Sequence, residues 1–457
     1  MHADRSAARR EVLVTAWPVV LQQSLRTLMF FVDTAMLGHC GESALATMNI
    51  VGPLVWTSVM ALGAVGVGAL ATVSRAWGEG DRAKADGEAA TALASGLVAG
   101  GLAVALAWVA LPFGIRLLAV RHGGAAEAGI AADAEVYFRM IILTFPLMMA
   151  EGVGSNALRA CGDTRTPFVI SMAGNAANAV GNYILIFGHW GAPAMGVRGA
   201  GLSTALVITA QGAATAAVLF SGRARVRLGR AAFRRIDRGA LIRLARVTFP
   251  AAGEPLVVQT GFLFFARYVN ALGPAAAAAH RVAITVESLS FMPGTGFSIA
   301  CAALVGQRLG ACDPAGAGLR VSESLRMSLL VMGFFGILFA AAPGSLATLF
   351  LGAGTPDGEA LRPLAALCLL IGAFEQPALA AAMTLQGALR GAGDTRSPVW
   401  IAAFGVWGTR VPLVWLLTRV FPLGLAGVWI TTVADWVVRA AVSAIIYRRG
   451  RWKTMAL

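Results

Sequence analysis

Leu158-Arg159-Ala160-Cys161-Gly162-Asp163-Thr164-Arg165-Thr166-Pro167 returns 231 residues later as Leu389-Arg390-Gly391-Ala392-Gly393-Asp394-Thr395-Arg396-Ser397-Pro398. Chance does not place two copies of so specific a decapeptide in one chain, so they mark an internal repeat. The offset persists on both sides. Pro18 pairs with Pro250 and Gly78 with Gly310 at 232 residues, and Pro146 with Pro377 at 231. Gly196, Gly199 and Thr204 pair with Gly424, Gly427 and Thr432 at 228.

What repeats is membrane-spanning. Of the 457 residues, 57% are hydrophobic and 13% charged, against about a quarter charged in soluble domains. A spanning helix needs roughly 20 apolar residues. Runs of that kind fall at 12–37, 46–74, 88–111, 128–158, 167–188 and 197–220, and again at 241–272, 275–306, 319–342, 358–388, 398–420 and 425–447. The expected fold is an all-α integral membrane protein of twelve transmembrane helices in two six-helix lobes, residues 1–221 and 247–457, joined by a basic linker at 222–246. An even helix count sends both lobes into the membrane the same way round, which implies a pseudo-twofold axis along the membrane normal and a cleft between lobes as the substrate path.

Charge sets the expected orientation. The linker holds Arg223, Arg225, Arg227, Arg230, Arg234, Arg235, Arg238, Arg243 and Arg246 against the single acid Asp237. The N-terminus, the segment Arg75 to Lys84, the loops around Arg165 and Arg396 and the tail from Arg448 are basic on the same side, so both termini are expected in the cytoplasm. The opposite connections, such as Leu351 to Glu359 with Asp357, carry little positive charge. The net charge of +14 is therefore read as lipid anchoring and not as nucleic-acid binding. Cys40, Cys161, Cys301, Cys312 and Cys368 show neither disulfide nor zinc spacing. His2, His39, His122, His189 and His280 are scattered, which argues against a membrane-embedded enzyme, and no Gly-rich phosphate loop supports ATP as the energy source.

Ionisable groups inside the bilayer need a partner or a task. Asp33 lies five residues before Gly38, roughly 7 to 8 Å below the helix end. Ser171, Asn175, Asn178 and Asn182 recur at spacings of 4, 3 and 4, one face of the fifth helix. Counting helical rise puts Asn182, and Thr204 on the sixth helix, near the depth of Asp33. A carboxylate among amide and hydroxyl oxygens suits Na⁺, and a carboxylate out of water suits a proton; helix tying by hydrogen bonds is the structural alternative. Position 265, the counterpart of Asp33, is Phe, so the halves are specialised.

The second half instead carries Glu254, Glu287 and Glu375 within apolar runs, with Gln259 level with Glu287 if the seventh and eighth helices form a hairpin about Gly273-Pro274. These acids would attract cationic substrates, bind a coupling ion, or serve as structural hydrogen-bonding groups with Arg267 and His280 as partners. Asp435 and Arg439 are spaced for an internal pair. Asp163 and Asp394 are placed to cap the helices that Pro167 and Pro398 open.

Phe31-Val32-Asp33-Thr34-Ala35-Met36-Leu37-Gly38-His39, the paired Gly-Asp-Thr-Arg loops, Glu287-Ser288-Leu289-Ser290-Phe291-Met292-Pro293-Gly294 and Ala303-Leu304-Val305-Gly306-Gln307-Arg308-Leu309-Gly310-Ala311 together resemble the multidrug and toxic compound extrusion (MATE) family. The resemblance implies a V-shaped, two-lobed exporter of organic cations and other toxic compounds, driven by Na⁺ or H⁺ antiport without a cofactor. It carries an ion-coupling role to Asp33, Asn178, Asn182 and Thr204, although some members have an acid where this chain has Asn182. A monomer in the cytoplasmic membrane of a bacterium, handling small cationic or amphipathic molecules, is expected. A flippase for lipid-linked precursors, of broadly similar fold, is the alternative; the acidic cleft candidates argue against it, since a pyrophosphate carrier wants basic groups inside.

Overall fold

Lipid cannot satisfy a backbone N–H or C=O, so each apolar run closes its own hydrogen bonds as a helix. The structure is a computed structural model that describes residues 2–119, 125–351 and 356–455, and these contain no strand. His122 and residues 352–355 of the Leu351–Glu359 connection lie outside the described residues.

The first repeat forms α1 (His2–Gly38), α2 (Glu42–Gly78), α3 (Arg82–Ala119), α4 (Ala125–Leu143), α5 (Phe145–Ala160), α6 (Arg165–Phe187) and α7 (Gly196–Phe220). After the short α8 (Arg230–Phe233) in the basic segment come α9 (Arg238–Ala271), α10 (Pro274–Gly310) and α11 (Pro314–Ala341). The chain continues through α12 (Pro343–Leu351), α13 (Pro356–Ala373), α14 (Gln376–Gly391), α15 (Arg396–Ala403), α16 (Val411–Trp415) and α17 (Gly424–Arg448).

Among the described residues, seven helices or joined helical segments are long and apolar enough to span a membrane on their own, and two bent pairs do so together. Polar residues dilute the hydropathy of α1, α6 and α9, which complete the twelve. The lipid-facing surface shows in helical stripes. Leu102, Leu106 and Val109 on α3, and Leu330, Phe334 and Ile337 on α11, are 62–73% exposed.

Two expected spans are broken. The run at 128–158 divides between α4 and α5 with a 50° bend, and that at 358–388 divides between α13 and α14 with a 52° bend. The breaks repeat one another: Pro146 opens α5 and Pro377 opens α14. Proline lacks the N–H that would continue the preceding helix and is accommodated in the first turn of a new one. The eleventh span is irregular too, with π-helical segments at Phe404–Arg410 and Leu416–Val420.

The duplicated loops close in the same way. Asp163 Oδ1 accepts from Thr166 N at 3.0 Å and Asp394 Oδ1 from Ser397 N at 2.9 Å, satisfying donors at the start of α6 and α15. Gly162 and Gly393 before them hold φ of 80° and 93°, where a Cβ would be strained.

The chain packs as two compact units. Met1–Ser24 groups with Phe249–Leu457, and Leu25–Thr248 forms the other, so α1 and α9 each run from one unit into the next. The core of the 25–248 unit gathers Val51, Leu111, Phe138, Ile141, Ile142 and Phe145. That of the other includes Phe265, Phe339, Cys368, Leu369, Val428 and Trp429. Close helix approach depends on small residues, as expected in lipid. A Cβ on Gly199 would meet the backbone of Leu185, and one on Gly391 the carbonyl of Ala302.

Candidate functional site

The polar centre of the 25–248 unit is built on α1, α4, α6 and α7. The α6 ladder buries Ser171, Asn178 and Asn182, with Asn182 fully inaccessible, because unshielded amides are unfavourable against lipid. Asn182 Nδ2 donates to Asp33 Oδ1 at 2.6 Å. Asn178 lies one turn away. With its amide nitrogen facing Asp33, it donates to Oδ1 and Oδ2 at 3.0 and 3.3 Å. Its other amide atom then faces the hydroxyls of Ser203 and Thr204, each 3.4 Å away. Ser203 also donates to the Asn178 carbonyl at 3.2 Å, fastening α7 to α6.

The structure thus brings together Asp33, Asn178, Asn182 and Thr204 from three helices. Two residues join them that the sequence reading missed, Ser203 and Tyr137 of α4, whose ring lies against Gly201 and whose hydroxyl is directed at Thr204. Ser203 was signalled only by adjacency to Thr204. Tyr137 had no periodic signal, since its place depends on how α4 packs on α7. Asn182 Oδ1 is buried without a partner among the described residues, as is Asn175 Nδ2. An unpartnered oxygen beside a carboxylate, an amide and a hydroxyl is a donor set for one hard monovalent cation or for a carboxyl proton. Among the described residues no three His, Cys, Asp or Glu converge, so the carboxylate cage of a divalent ion is not formed there.

The second-half acids divide. Glu254 is held by Arg390 of the repeated loop, with Nη2 at 2.6 and 2.9 Å from the two carboxylate oxygens. Neither expected partner plays this part. Arg267 lines a cavity of about 280 Å³ with Tyr268, Ala271, Trp415 and Arg419. His280 packs between the rings of Phe265 and Trp429, at 5.9 and 5.8 Å. The physical reason is reach: Arg390 approaches Glu254 from α14, which sequence spacing along α9 does not reveal.

Glu375 sits at the α13–α14 break, fully buried, with neither oxygen hydrogen-bonded among the described residues. Glu287 of α10, Thr432 of α17 and Arg410 face it. Gln259 is half-buried on α9. The Asp435–Arg439 pair forms at 2.7 Å, with a second cation that sequence spacing missed: Arg410 Nε also donates to Asp435 at 2.7 Å. Arg410 closes the π-helical segment, where one extra residue per turn shifts the side-chain register away from the ordinary helical count.

Comparison with known proteins agrees with this architecture. The MatE family profile matches residues 18–184 and 250–416, one match in each repeat. A probable multidrug resistance protein NorM of Thermotoga maritima is 31% identical over 453 residues, covering 98% of this chain and 94% of that protein. The multidrug resistance protein NorM of Burkholderia vietnamiensis is 29% identical over 453 residues, covering 97% and 93%. Among solved structures, a MATE in complex with MaL6 superposes with a TM-score of 0.89 at 20% identity, covering 98% of this chain and 97% of that one.

Proposed function

From the premise that the chain belongs to the MatE family, we propose that it is an ion-coupled multidrug efflux transporter in which Asp33 exchanges a Na⁺ or a proton for cargo movement. It is a multi-pass membrane transporter and not an enzyme. The observation that carries the coupling role is the Asp33–Asn182 contact at 2.6 Å, backed by Asn178 and, through it, by Thr204. An ion or proton on Asp33 withdraws charge from those amides, weakening the charge-assisted bonds that tie α1 to α6. Loading therefore biases the position of α1, and a two-state transporter needs such a differential interaction.

The same reading takes residues 1–221 and 247–457 as the repeats that alternate access, with both termini cytoplasmic in a bacterial inner membrane and a monomer as the working unit. Buried carboxylates favour cationic or amphipathic cargo. Glu375 and Glu287 are the second-half candidates for binding it or a coupling ion, with Gln259 as a polar neighbour in the same half. Glu254, already ion-paired, serves as a structural tie.

The test is ethidium efflux from reconstituted vesicles under separate Na⁺ and pH gradients, for the intact protein and Asp33→Asn. Loss of gradient-driven efflux in the variant, with ethidium binding retained, is expected. Undiminished efflux under both gradients would remove Asp33 from the mechanism.

A further inference from the structure

The two repeats exchange helix ends. Residues 1–24 of the first repeat pack within the unit formed by 249–457, whereas residues 238–248, the opening turns of α9, pack within the 25–248 unit. The packing is matched position by position. Val12 and Ala16 of α1 lie in a buried cluster with Phe297, Ala300, Leu304 and Met327. Their counterparts 232 residues on, Leu244 and Thr248, press on Gly68 of α2, where a Cβ would lie 2.9 Å from Leu244 and collide with Thr248.

Each exchanged end is fastened by an ion pair. Glu11 on α1 accepts from Arg320 on α11, with Nη2 at 2.7 Å and Nε at 3.0 Å, and from Arg308 on α10 at 2.9 Å. Arg9 reaches Glu323 at 3.3 Å. On the other end, Arg243 of α9 donates to Glu88 of α3 at 2.8 Å from Nε and 2.6 Å from Nη2. Adding 232 to Glu11 gives Arg243, and adding 232 to Glu88 gives Arg320. The two pairs therefore occupy the same places in the two repeats with their charges reversed.

That inversion is informative. Were each position selected for its own charge, the duplicated copies would agree in sign. Reversal at both partners preserves the contact while discarding the individual charges, as expected when complementarity is what matters. Ordinary exposed pairs contribute little, but the anchoring side chains here are sheltered, Arg320 at 10% and Glu88 at 3% exposure.

We propose that Glu11–Arg320 and Arg243–Glu88 are a matched pair of latches, of opposite polarity, that hold each repeat's leading helix on the other repeat and release during every transport cycle. The proposal rests on the transporter reading, because only relative movement of the repeats demands release.

One test locks the latch in a protein whose five cysteines are replaced by serine. Glu11→Cys with Arg320→Cys is joined by a short bis-methanethiosulfonate reagent, and cross-linking is verified by mass spectrometry. Joined protein is expected to lose at least about tenfold of its ethidium efflux, recovered on reduction. The unjoined form, having lost the ion pair, is itself expected to be slowed about fivefold; its residual gradient-driven efflux is the reference and keeps the transporter reading independent of the result. Efflux by the joined form equal to that of the unjoined form would overturn release and leave a static clamp.

The second test swaps charges. Arg243→Glu and Glu88→Arg alone should each lower efflux by at least about fivefold, while the double variant, copying the polarity of Glu11–Arg320, should recover to within about twofold. Harmless single variants, or a double variant no better than the singles, would refute charge complementarity.

Discussion

Asn182 and Asp33, 149 residues apart in sequence, meet at 2.6 Å through an amide donor and a carboxylate acceptor. The contact joins α6 to α1, and an ion competing for the carboxylate must compete with it. Removing the donor while keeping the acid separates the two contributions. Asn182→Ala should destabilise the protein by roughly 1.5 to 3 kcal/mol, the range for a hydrogen bond to a charged group. Thermal unfolding in detergent measures this, and efflux should fall alongside it; an unchanged transition would show that the bond contributes nothing net.

Asn178 offers a gentler probe, since it approaches both Asp33 and the α7 hydroxyls. Asn178→Ser replaces the amide with a shorter hydroxyl that cannot bridge that span. We expect efflux reduced several-fold with near-normal folding, read as a shift in the ion concentration giving half-maximal transport. An unaltered ion dependence would place Asn178 in packing alone.

Asp435 is enclosed by Arg410 and Arg439 and has no exposed surface. Asp435→Asn leaves two buried guanidinium groups without their anion, and breaking a buried pair destabilises by about 3 to 5 kcal/mol. Poor yield and a lowered unfolding temperature are the expected readouts. Normal stability would mean that water reaches the cluster.

Glu254 and Arg390 should behave as one unit. Glu254→Gln and Arg390→Gln are each expected to destabilise, and the double variant should be less harmful than the two effects added, with coupling of about 0.5 to 3 kcal/mol. Strict additivity would argue that the contact at 2.6 Å is incidental.

Gly391→Val tests helix approach at the repeated loop. The new side chain would enter the space of the Ala302 carbonyl, and overpacking of this kind destabilises by about 1 to 3 kcal/mol. A variant as stable as the parent would indicate that α14 can retreat from α10.

The decapeptide repeat and the spacing of apolar runs disclosed the duplicated helical membrane fold, because both are properties of the linear chain. The first-half site was largely legible for a related reason. Asp33, Asn178, Asn182 and Thr204 could be assigned one depth from helical rise alone, and the ladder spacing required a single face. The bends at 144 and 374–375 are not legible in the sequence: Pro146 and Pro377 mark the repeat, but a proline inside an apolar run does not declare whether the helix curves or stops. Tyr137, Arg390 and Arg410 escaped for want of any local pattern tying them to their partners.

Helix number, the existence of the internal repeat and the height of each polar group along its axis follow from hydrophobicity and a constant rise per residue, so the chain specifies them without reference to its neighbours. Which side chains meet across helices depends on rotation, bend and interhelical distance, and small residues such as Gly199 and Gly391 set these only once the helices are packed. The pairing of Glu254 with Arg390, and the exchange of helix ends fastened by Glu11 and Arg243, exist only at that level.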